Sequence, residues 1–245
     1  MKSSVQDFYE QQWGSTAEAR EAGTILLMME RAIQYSYSLL GDLSGKKLLE
    51  IGAGAGHQAV YFAQRGAKVM AIDISAASLR SVQELALHNK INNIQLQHQN
   101  AEQLTFPDNT FDLIYINSTL MHVNHEKVFR ECSRVLKLGG KLVVVEPLRY
   151  NPFMMVYRLF SKYRYTHPRY MTVKEFLHFQ PYFTSLHHQE FYFFSLLALP
   201  LFAMMKKKNL AVRCMNVIET IDGMLGRLVP VVRRMYWMGV VWYQK

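Results

Sequence analysis

Two carboxylates and three alternating glycines lie within one short stretch of the chain. Glu50 is the next-to-last residue of a short apolar run that ends at Ile51. Gly52, Gly54 and Gly56 follow this run, and Asp73 ends the next apolar run. Glycine adopts backbone angles that other residues avoid, and it lets a ligand approach the main chain closely. A carboxylate at the mouth of such a loop repels a pyrophosphate and attracts a positive charge. The pattern therefore predicts a binding site for a cationic ligand.

The elements that position these residues are a strand, a loop, a helix and a second strand. Residues 46–51 form an apolar run suited to a strand that is buried on both faces. Residues 57–64 have helical spacing, and the following strand ends at Asp73. This order is typical of nucleotide sites in open α/β sheets. The dinucleotide fingerprint would need a glycine where this chain has His57, so the spacing disfavours a dinucleotide.

The spacing E-x-G-x-G-x-G resembles motif I of the class I S-adenosylmethionine (SAM) methyltransferases. The resemblance implies that the loop wraps the amino-acid end of SAM and that Asp73 accepts hydrogen bonds from both ribose hydroxyls. It implies SAM as cofactor, S-adenosylhomocysteine as product, and no metal. Carried over by position, the cofactor-binding residues are Glu50, Gly52, Ala53, Gly54, Gly56, Asp73, Ile74, Asn100, Ala101, Glu102 and Asn117.

Two further segments extend the resemblance over roughly residues 46–148. Asn100 stands where the family usually has an aspartate that bonds the adenine amino group, and the side-chain carbonyl of Asn100 can still accept from that amine. The segment 134–140 (RVLKLGG) is close to the RVLKPGG turn of the ubiquinone/menaquinone-biosynthesis type, with Leu138 in place of proline. The resemblance therefore points to a methyltransferase of the small-molecule type.

Candidate catalytic residues follow the fourth predicted strand. Much of the acceleration of methyl transfer comes from holding the acceptor near the methyl carbon, and an oxygen acceptor also benefits from a base. Histidine suits that role near neutral pH. We predict His122 as a base or substrate-orienting group, the alternative being a histidine bonded to the backbone. His125 is the second candidate and is expected to be more exposed, at the start of a helix.

The N-terminal segment contains Tyr9 and Trp13 among polar residues. This aromatic and polar start resembles the lid that closes over SAM and substrate in many small-molecule methyltransferases. The alternative is a surface helix whose aromatic side chains pack on the sheet.

The charge of the chain is unevenly distributed. The net charge is +9, yet residues 1–148 carry 14 Lys and Arg against 15 Asp and Glu, whereas residues 149–245 carry 14 against 4. The second segment also holds 20 of the 31 aromatic residues. A buried helical cap with a solvated basic face would explain this composition. So would peripheral contact with anionic lipid through residues 191–208 and 228–242. Nucleic acid is disfavoured, because no RNA-binding motif accompanies the basic residues.

Local spacing predicts further elements: a helix over residues 24–40, a helix capped by Ser75, a third strand at Ile94–His98, and last strands at Phe183–Phe193 and Val240–Tyr243.

These observations predict one α/β domain over residues 1–245. We expect a Rossmann-like class I methyltransferase sheet, mostly parallel with an antiparallel last strand, and a helical cap formed by C-terminal insertions. Residues 1–45 would form the lid and N-terminal helices, and residues 46–148 the SAM-binding core. Residues 149–245 would form the basic, aromatic substrate cap and the last two strands.

The predicted function is methyl transfer from SAM to a small lipophilic or anionic molecule, with an oxygen acceptor favoured. The alternatives are a macromolecular (RNA or protein) methyltransferase, a SAM-binding enzyme with other chemistry, and a non-enzymatic SAM-binding protein. Cys132 and Cys214 fit no metal or disulfide pattern, and the N-terminus shows no signal peptide. A cytoplasmic location is expected, with peripheral attachment at the inner membrane face as an option.

Overall fold

The computed structural model describes residues 29–160, 166–194 and 208–245 of the chain. Within them lie seven strands and seven α-helices. The strands are β1 (Lys47–Ile51), β2 (Lys68–Asp73), β3 (Ile94–His98), β4 (Phe111–Asn117), β5 (Leu136–Pro147), β6 (Ser185–Phe191) and β7 (Met238–Gln244). The helices are α1 (Glu30–Leu40), α2 (His57–Gln64), α3 (Ala76–His88), α4 (His125–Val135), α5 (Pro152–Phe160), α6 (Val173–Leu177) and α7 (Lys208–Leu228).

The strands form one sheet in the order β3-β2-β1-β4-β5-β7-β6. β1 to β5 pair in parallel, and β7 is antiparallel to both of its neighbours. After β3 the chain crosses back to place β4 beside β1, so the direction of winding changes between these two strands. The carboxyl ends of β1 and β4 therefore meet at a topological switch point, where open α/β sheets bind ligands. The predicted fold class is confirmed.

Both faces of the sheet are covered, which explains why its central strands are almost continuously apolar. On one face, α1 packs over β5 and β7, and its Ser36 Oγ lies 3.0 Å from the hydroxyl of buried Tyr115 on β4. On the other face, Phe129 of α4 stacks on Phe179 with ring centroids 4.2 Å apart. These contacts hold the flanking elements against the two faces of the sheet.

Short-range signals placed most of the core elements correctly. β3 and α2 have the predicted bounds, and the Ser75 side chain caps α3 by accepting from the backbone N–H of Ser78. β6 and β7 are found within one to two residues of the expected segments. The predicted helix over residues 24–40 is observed as α1 from Glu30 onward, and its first residues lie outside the described part of the chain.

The two C-terminal insertions are helical where they are described. α5, α6 and a 3-10 turn lie between β5 and β6, whereas α7 and the 3-10 segment Pro230–Met235 lie between β6 and β7. The carboxylate of Asp222 on α7 accepts the backbone N–H groups of Phe193 and Phe194 at 2.8 and 2.9 Å, which ties α7 to the end of β6. In the parts of the chain that the structure describes, no helix is long and apolar enough to cross a membrane.

Candidate functional site

The glycine loop lies at the carboxyl end of β1 and has the backbone that its sequence predicts. Gly52, Gly54 and Gly56 all have positive φ angles, of 78°, 52° and 84°. A Cβ atom at Gly52 would lie 2.0 Å from Oγ1 of Thr119, the second residue after β4. A Cβ atom at Gly56 would lie 2.8 Å from Cα of Val82 on α3. Two of the three glycines are therefore required by packing as well as by backbone angle.

Asp73, at the end of β2, lies beside this loop. Its two carboxylate oxygens accept hydrogen bonds from the backbone N–H groups of Gly54 (3.1 Å) and Ser75 (2.8 Å). The carboxylate is half-buried. Asp73 therefore holds the glycine loop and places a negative charge beside it.

Glu50 is the buried acid of the site. It is 2% exposed, and its Oε2 atom has no hydrogen-bond partner among the described residues. Burial, together with the nearby negative charge of Asp73, raises the pKa of Glu50 well above its ordinary value. A cation placed between the two carboxylates would reverse this effect and favour the ionised form.

The predicted adenine-side residues form a turn after β3. The Asn100 side-chain oxygen accepts the backbone N–H of Glu102 at 3.0 Å, and Ala101 is buried. The Glu102 carboxylate is bonded to the backbone N–H of Asn124 (3.1 Å) at the start of α4. Glu102 therefore anchors the turn to α4. Two further residues were predicted to contact the cofactor. Ala53, between Gly52 and Gly54, is buried. The carbonyl of Ile74, directly after Asp73, lies 2.8 Å from Nε2 of His98.

The segment after β4 is held by an acid that the sequence analysis assigned no role. Oε1 of Glu146, near the end of β5, accepts the backbone N–H groups of Thr119 (2.6 Å) and Leu120 (2.7 Å). Burial raises the pKa of Glu146 to about 8, although these hydrogen bonds act in the opposite direction. The only signal for this role was a carboxylate at the carboxyl end of a buried strand. Asn117 ends β4, and Ser118 follows it with a φ of 52°.

The two candidate histidines differ in their surroundings. His122 is half-buried in the 3-10 turn Leu120–His122, and burial lowers its pKa to about 4, so the imidazole is neutral at pH 7. The expectation that His125 is the more exposed is wrong, because it is only 8% exposed. A ring nitrogen of His125, Nε2, lies 2.9 Å from the carbonyl of Leu120, and its ring packs edge-on against Phe179.

The structure thus brings the predicted residues of β1, β2 and β4 to one edge of the sheet. Tyr9 and Trp13 lie outside the described residues. Among the described residues, no cluster of three or more His, Cys, Asp or Glu side chains could hold a metal ion. Cys132 is a buried free thiol.

Comparison with known proteins gives the same interpretation for the core. Residues 49–144 match the family described as "Methyltransferase domain". The ubiquinone/menaquinone biosynthesis C-methyltransferase UbiE of Hydrogenovibrio crunogenus is 37% identical over 118 residues, which are 46% of this chain and 46% of that protein. The match therefore spans about half the length of such a curated relative. The predicted resemblance to the ubiquinone/menaquinone type of class I methyltransferases is confirmed for this core.

Solved structures with low sequence identity share the fold of most of this chain. Phosphoethanolamine N-methyltransferase 2 of Haemonchus contortus, in complex with SAM, has a TM-score of 0.65 at 17% identity, covering 86% of this chain and 51% of that one. The [4+2]-cyclase SpnF has a TM-score of 0.59 at 17% identity, covering 88% and 80%. Proteins with different reactions thus share this architecture.

The contact between Gly52 and Thr119 leads to a testable prediction. Gly52→Ala should lower the free energy of unfolding by more than Gly45→Ala. Both glycines have positive φ, so both substitutions carry the backbone cost of about 1–2 kcal/mol, but a Cβ at Gly45 meets no atom within 4 Å. Urea denaturation measures both variants, and equal losses would show that Thr119 moves aside without cost.

Proposed function

We propose that this chain, whose residues 49–144 match a methyltransferase domain, transfers a methyl group from SAM to a small molecule. The observation that carries the proposal is the pair of carboxylates around the glycine loop. Glu50 is a buried acid with an unpaired oxygen among the described residues, and Asp73 is a half-buried acceptor at the end of the neighbouring strand. This pair suits a ligand with positive charge at one end and a ribose beside it.

In this proposal the predicted site residues hold SAM in two parts. Glu50 and the loop Gly52–Gly56 would face the charged amino-acid end, Asp73 the ribose hydroxyls, and the turn at Asn100 the adenine. SAM supplies an activated methyl group on a sulfonium. The protein's own contribution is to orient the acceptor and exclude water at the carboxyl ends of β4 and β5.

His122 is proposed to orient the acceptor or accept its proton. Its neutral imidazole can accept a hydrogen bond at pH 7, which suits an acceptor O–H or N–H. The low pKa of His122 makes it a weak base in the ligand-free protein, so it would take a proton only from an acidic acceptor; an acceptor that is already ionised would instead receive a hydrogen bond from the imidazole N–H. His125, held against the Leu120 carbonyl, would fix the turn that carries His122.

The acceptor is proposed to be a small lipophilic or anionic molecule bound beneath the cap formed by residues 149–245. The basic, aromatic composition of the cap supports this class. Residues 1–45 are proposed as a lid and residues 46–148 as the cofactor-binding core. The preference for an oxygen acceptor stays a prediction, since the matched relative is named a C-methyltransferase.

Three alternatives differ in their products. A macromolecular methyltransferase would place label in RNA or protein. A SAM-binding enzyme of other chemistry would bind SAM without forming S-adenosylhomocysteine. A non-enzymatic SAM-binding protein would show no turnover with any extract.

We further propose peripheral contact with an anionic lipid surface, on residues that the structure exposes. Along α7, Val217, Ile221, Met224 and Leu228 are 61%, 52%, 57% and 77% exposed, at a spacing that places them on one face of the helix. Residues 149–245 carry the whole positive excess, which complements anionic headgroups. Within the predicted segment 228–242, exposure ends at Met235, because residues 236–241 are buried. Residues 195–207 of the other predicted segment, 191–208, lie outside the described residues.

The first prediction from this proposed function concerns SAM affinity and its dependence on pH. In the ligand-free protein the pKa of Glu50 is raised, and a bound cation favours the ionised carboxylate. SAM affinity should therefore rise, with proton release, as the pH increases from the ordinary titration range of a glutamate toward the raised pKa of Glu50. Glu50→Gln cannot ionise and should bind SAM about tenfold more weakly, with little pH dependence. Calorimetry measures both proteins, and a pH-dependent affinity in the variant would exclude Glu50 as the titrating group.

The second prediction tests the reaction itself. The pure protein is incubated with methyl-labelled SAM and a host lysate. The organic, aqueous and macromolecular fractions are then separated, and the label in each is counted. Label is expected in the organic or aqueous small-molecule fraction, and Asp73→Ala should reduce it because SAM binds about 1–3 kcal/mol more weakly. Label confined to macromolecules, or intact SAM binding with no transfer, would contradict the proposal.

The third prediction tests the lipid surface. The wild-type protein should sediment with vesicles that contain anionic lipid, and less so as salt is raised. The double change Ile221→Glu and Met224→Glu should reduce sedimentation about tenfold or more, because it places charge in the apolar face. Leu87→Glu, at a 69% exposed position on α3, is the matched control and should bind as the wild type does. Concentration-dependent dimerisation without vesicle binding would assign the apolar face to a second copy.

A further inference from the structure

A second cavity lies away from the glycine loop. It has a volume of about 440 Å³, is open to solvent on one side, and is lined by α1, the carboxyl end of β6, α7 and the 3-10 segment before β7. Three arginines from different elements line it: Arg31 of α1, Arg227 of α7 and Arg233 of the 3-10 segment. β6 is three strands from β4 in the sheet, which is about 14 Å at the usual strand spacing. The cavity is therefore separate from the site described above.

The guanidinium groups at this cavity keep donors available. Arg227 is exposed, and its guanidinium has no ion pair or hydrogen bond with any residue that the structure describes. Arg233 uses Nε to donate to the carbonyl of Gly226 at 2.9 Å, which leaves its two terminal nitrogens. Among the residues that the structure describes, the guanidinium of Arg31 makes a long contact of 3.4 Å with Glu219. Gln34 and Gln189 add neutral amide groups to the lining.

The acidic groups nearby already have partners. Glu190 lines the cavity, but its Oε1 is bonded to Nδ1 of His188. Glu219 faces Arg31, and the carboxylate of Asp222 accepts two backbone N–H groups. Among the described residues, none of these carboxylates forms an ion pair with Arg227 or Arg233, so the N–H groups of Arg227 and the terminal nitrogens of Arg233 stay open to a ligand. The cavity offers several guanidinium N–H donors from two sides, a geometry suited to an oxyanion.

A glycine on α7 keeps this space open. Gly226 is explained by packing, because a Cβ there would lie 2.6 Å from the hydroxyl of Tyr236. Gly223 lines the same cavity, yet a Cβ there would meet no atom within 4 Å. Glycine lowers the stability of a helix interior, so its presence at 223 is not accounted for by the packing of the protein itself. It leaves bare helix backbone facing the arginines.

We infer that this cavity binds a small molecule that carries a phosphate-type oxyanion. The oxyanion lies between Arg227 and Arg233, with Arg31 and the glutamine amides completing the site. The rest of the molecule lies against the helix backbone at Gly223. The source of the phosphate is a soluble phosphate ester or the headgroup of an anionic lipid, since the exposed apolar face of α7 adjoins the cavity. The inference does not depend on the proposed methyltransferase activity.

Equilibrium dialysis against radiolabelled pyrophosphate tests the inference on the full chain. One pyrophosphate should bind per wild-type chain. Arg227→Ala should weaken binding about tenfold, as expected for the loss of a charge-assisted contact. Gly223→Leu should abolish binding by filling the cavity, and it should fold normally because the position is open. Arg130→Ala, at an exposed arginine on α4, is the control and should bind normally.

Competition then identifies the source of the oxyanion. Displacement of pyrophosphate by glycerol 3-phosphate would indicate a soluble ester, and displacement only by vesicles containing phosphatidic acid would indicate a lipid headgroup. Displacement by neither would overturn the assignment to a phosphate ester. Wild-type binding that Gly223→Leu and Arg227→Ala leave unchanged, or no binding at all, would overturn the site. SAM binding, measured in the same variants, reports separately on the glycine-loop site.

Discussion

The close approach of β1 and β4 at their carboxyl ends is the constraint on which the candidate site depends. Thr119 occupies the space in which a side chain at Gly52 would lie, and its hydroxyl donates to the carbonyl of Ile51 at 3.3 Å. Thr119 is held in turn by Glu146, which accepts its backbone N–H. The glycine loop, the end of β4 and the end of β5 are thus positioned as one unit. The glycine at position 52 is as much a requirement of this packing as of any ligand.

Two buried acids at this edge differ in how their burial is compensated. Glu146 receives backbone N–H groups, yet burial still raises its pKa to about 8. Because the unfolded chain holds fewer protons at that group between about pH 4.5 and pH 8, the contribution of Glu146 to the free energy of unfolding falls as pH rises through this range. Glu50 faces a second carboxylate, and its Oε2 atom lacks a hydrogen bond within the described residues. A cationic ligand would supply the compensation that the protein does not.

Features encoded by neighbouring residues were predictable, and features made by distant ones were not. The glycine loop, the Ser75 cap and the bounds of β3 follow from local spacing and were correct. The role of Glu146 was missed because its partners lie 26 and 27 residues earlier in the chain. The burial of His125 was missed for the same reason, since the Phe179 ring that covers it belongs to another element. The arginines of the second cavity come from residues 31 to 233 and share no local pattern.

The uneven charge of the chain acquires a physical meaning once its two halves are placed on the fold. The neutral first part presents carboxylates, Glu50 and Asp73, where the proposed cation binds. The basic last part supplies two of the three arginines of the second cavity and the apolar face of α7. On α7, Gly223 and Arg227 face the cavity, whereas Met224 and Leu228, one position further along, face solvent; a step of one residue turns the helix by about 100°. One helix can therefore serve both an oxyanion and an apolar surface, and neither role competes with the acidic site at the glycine loop.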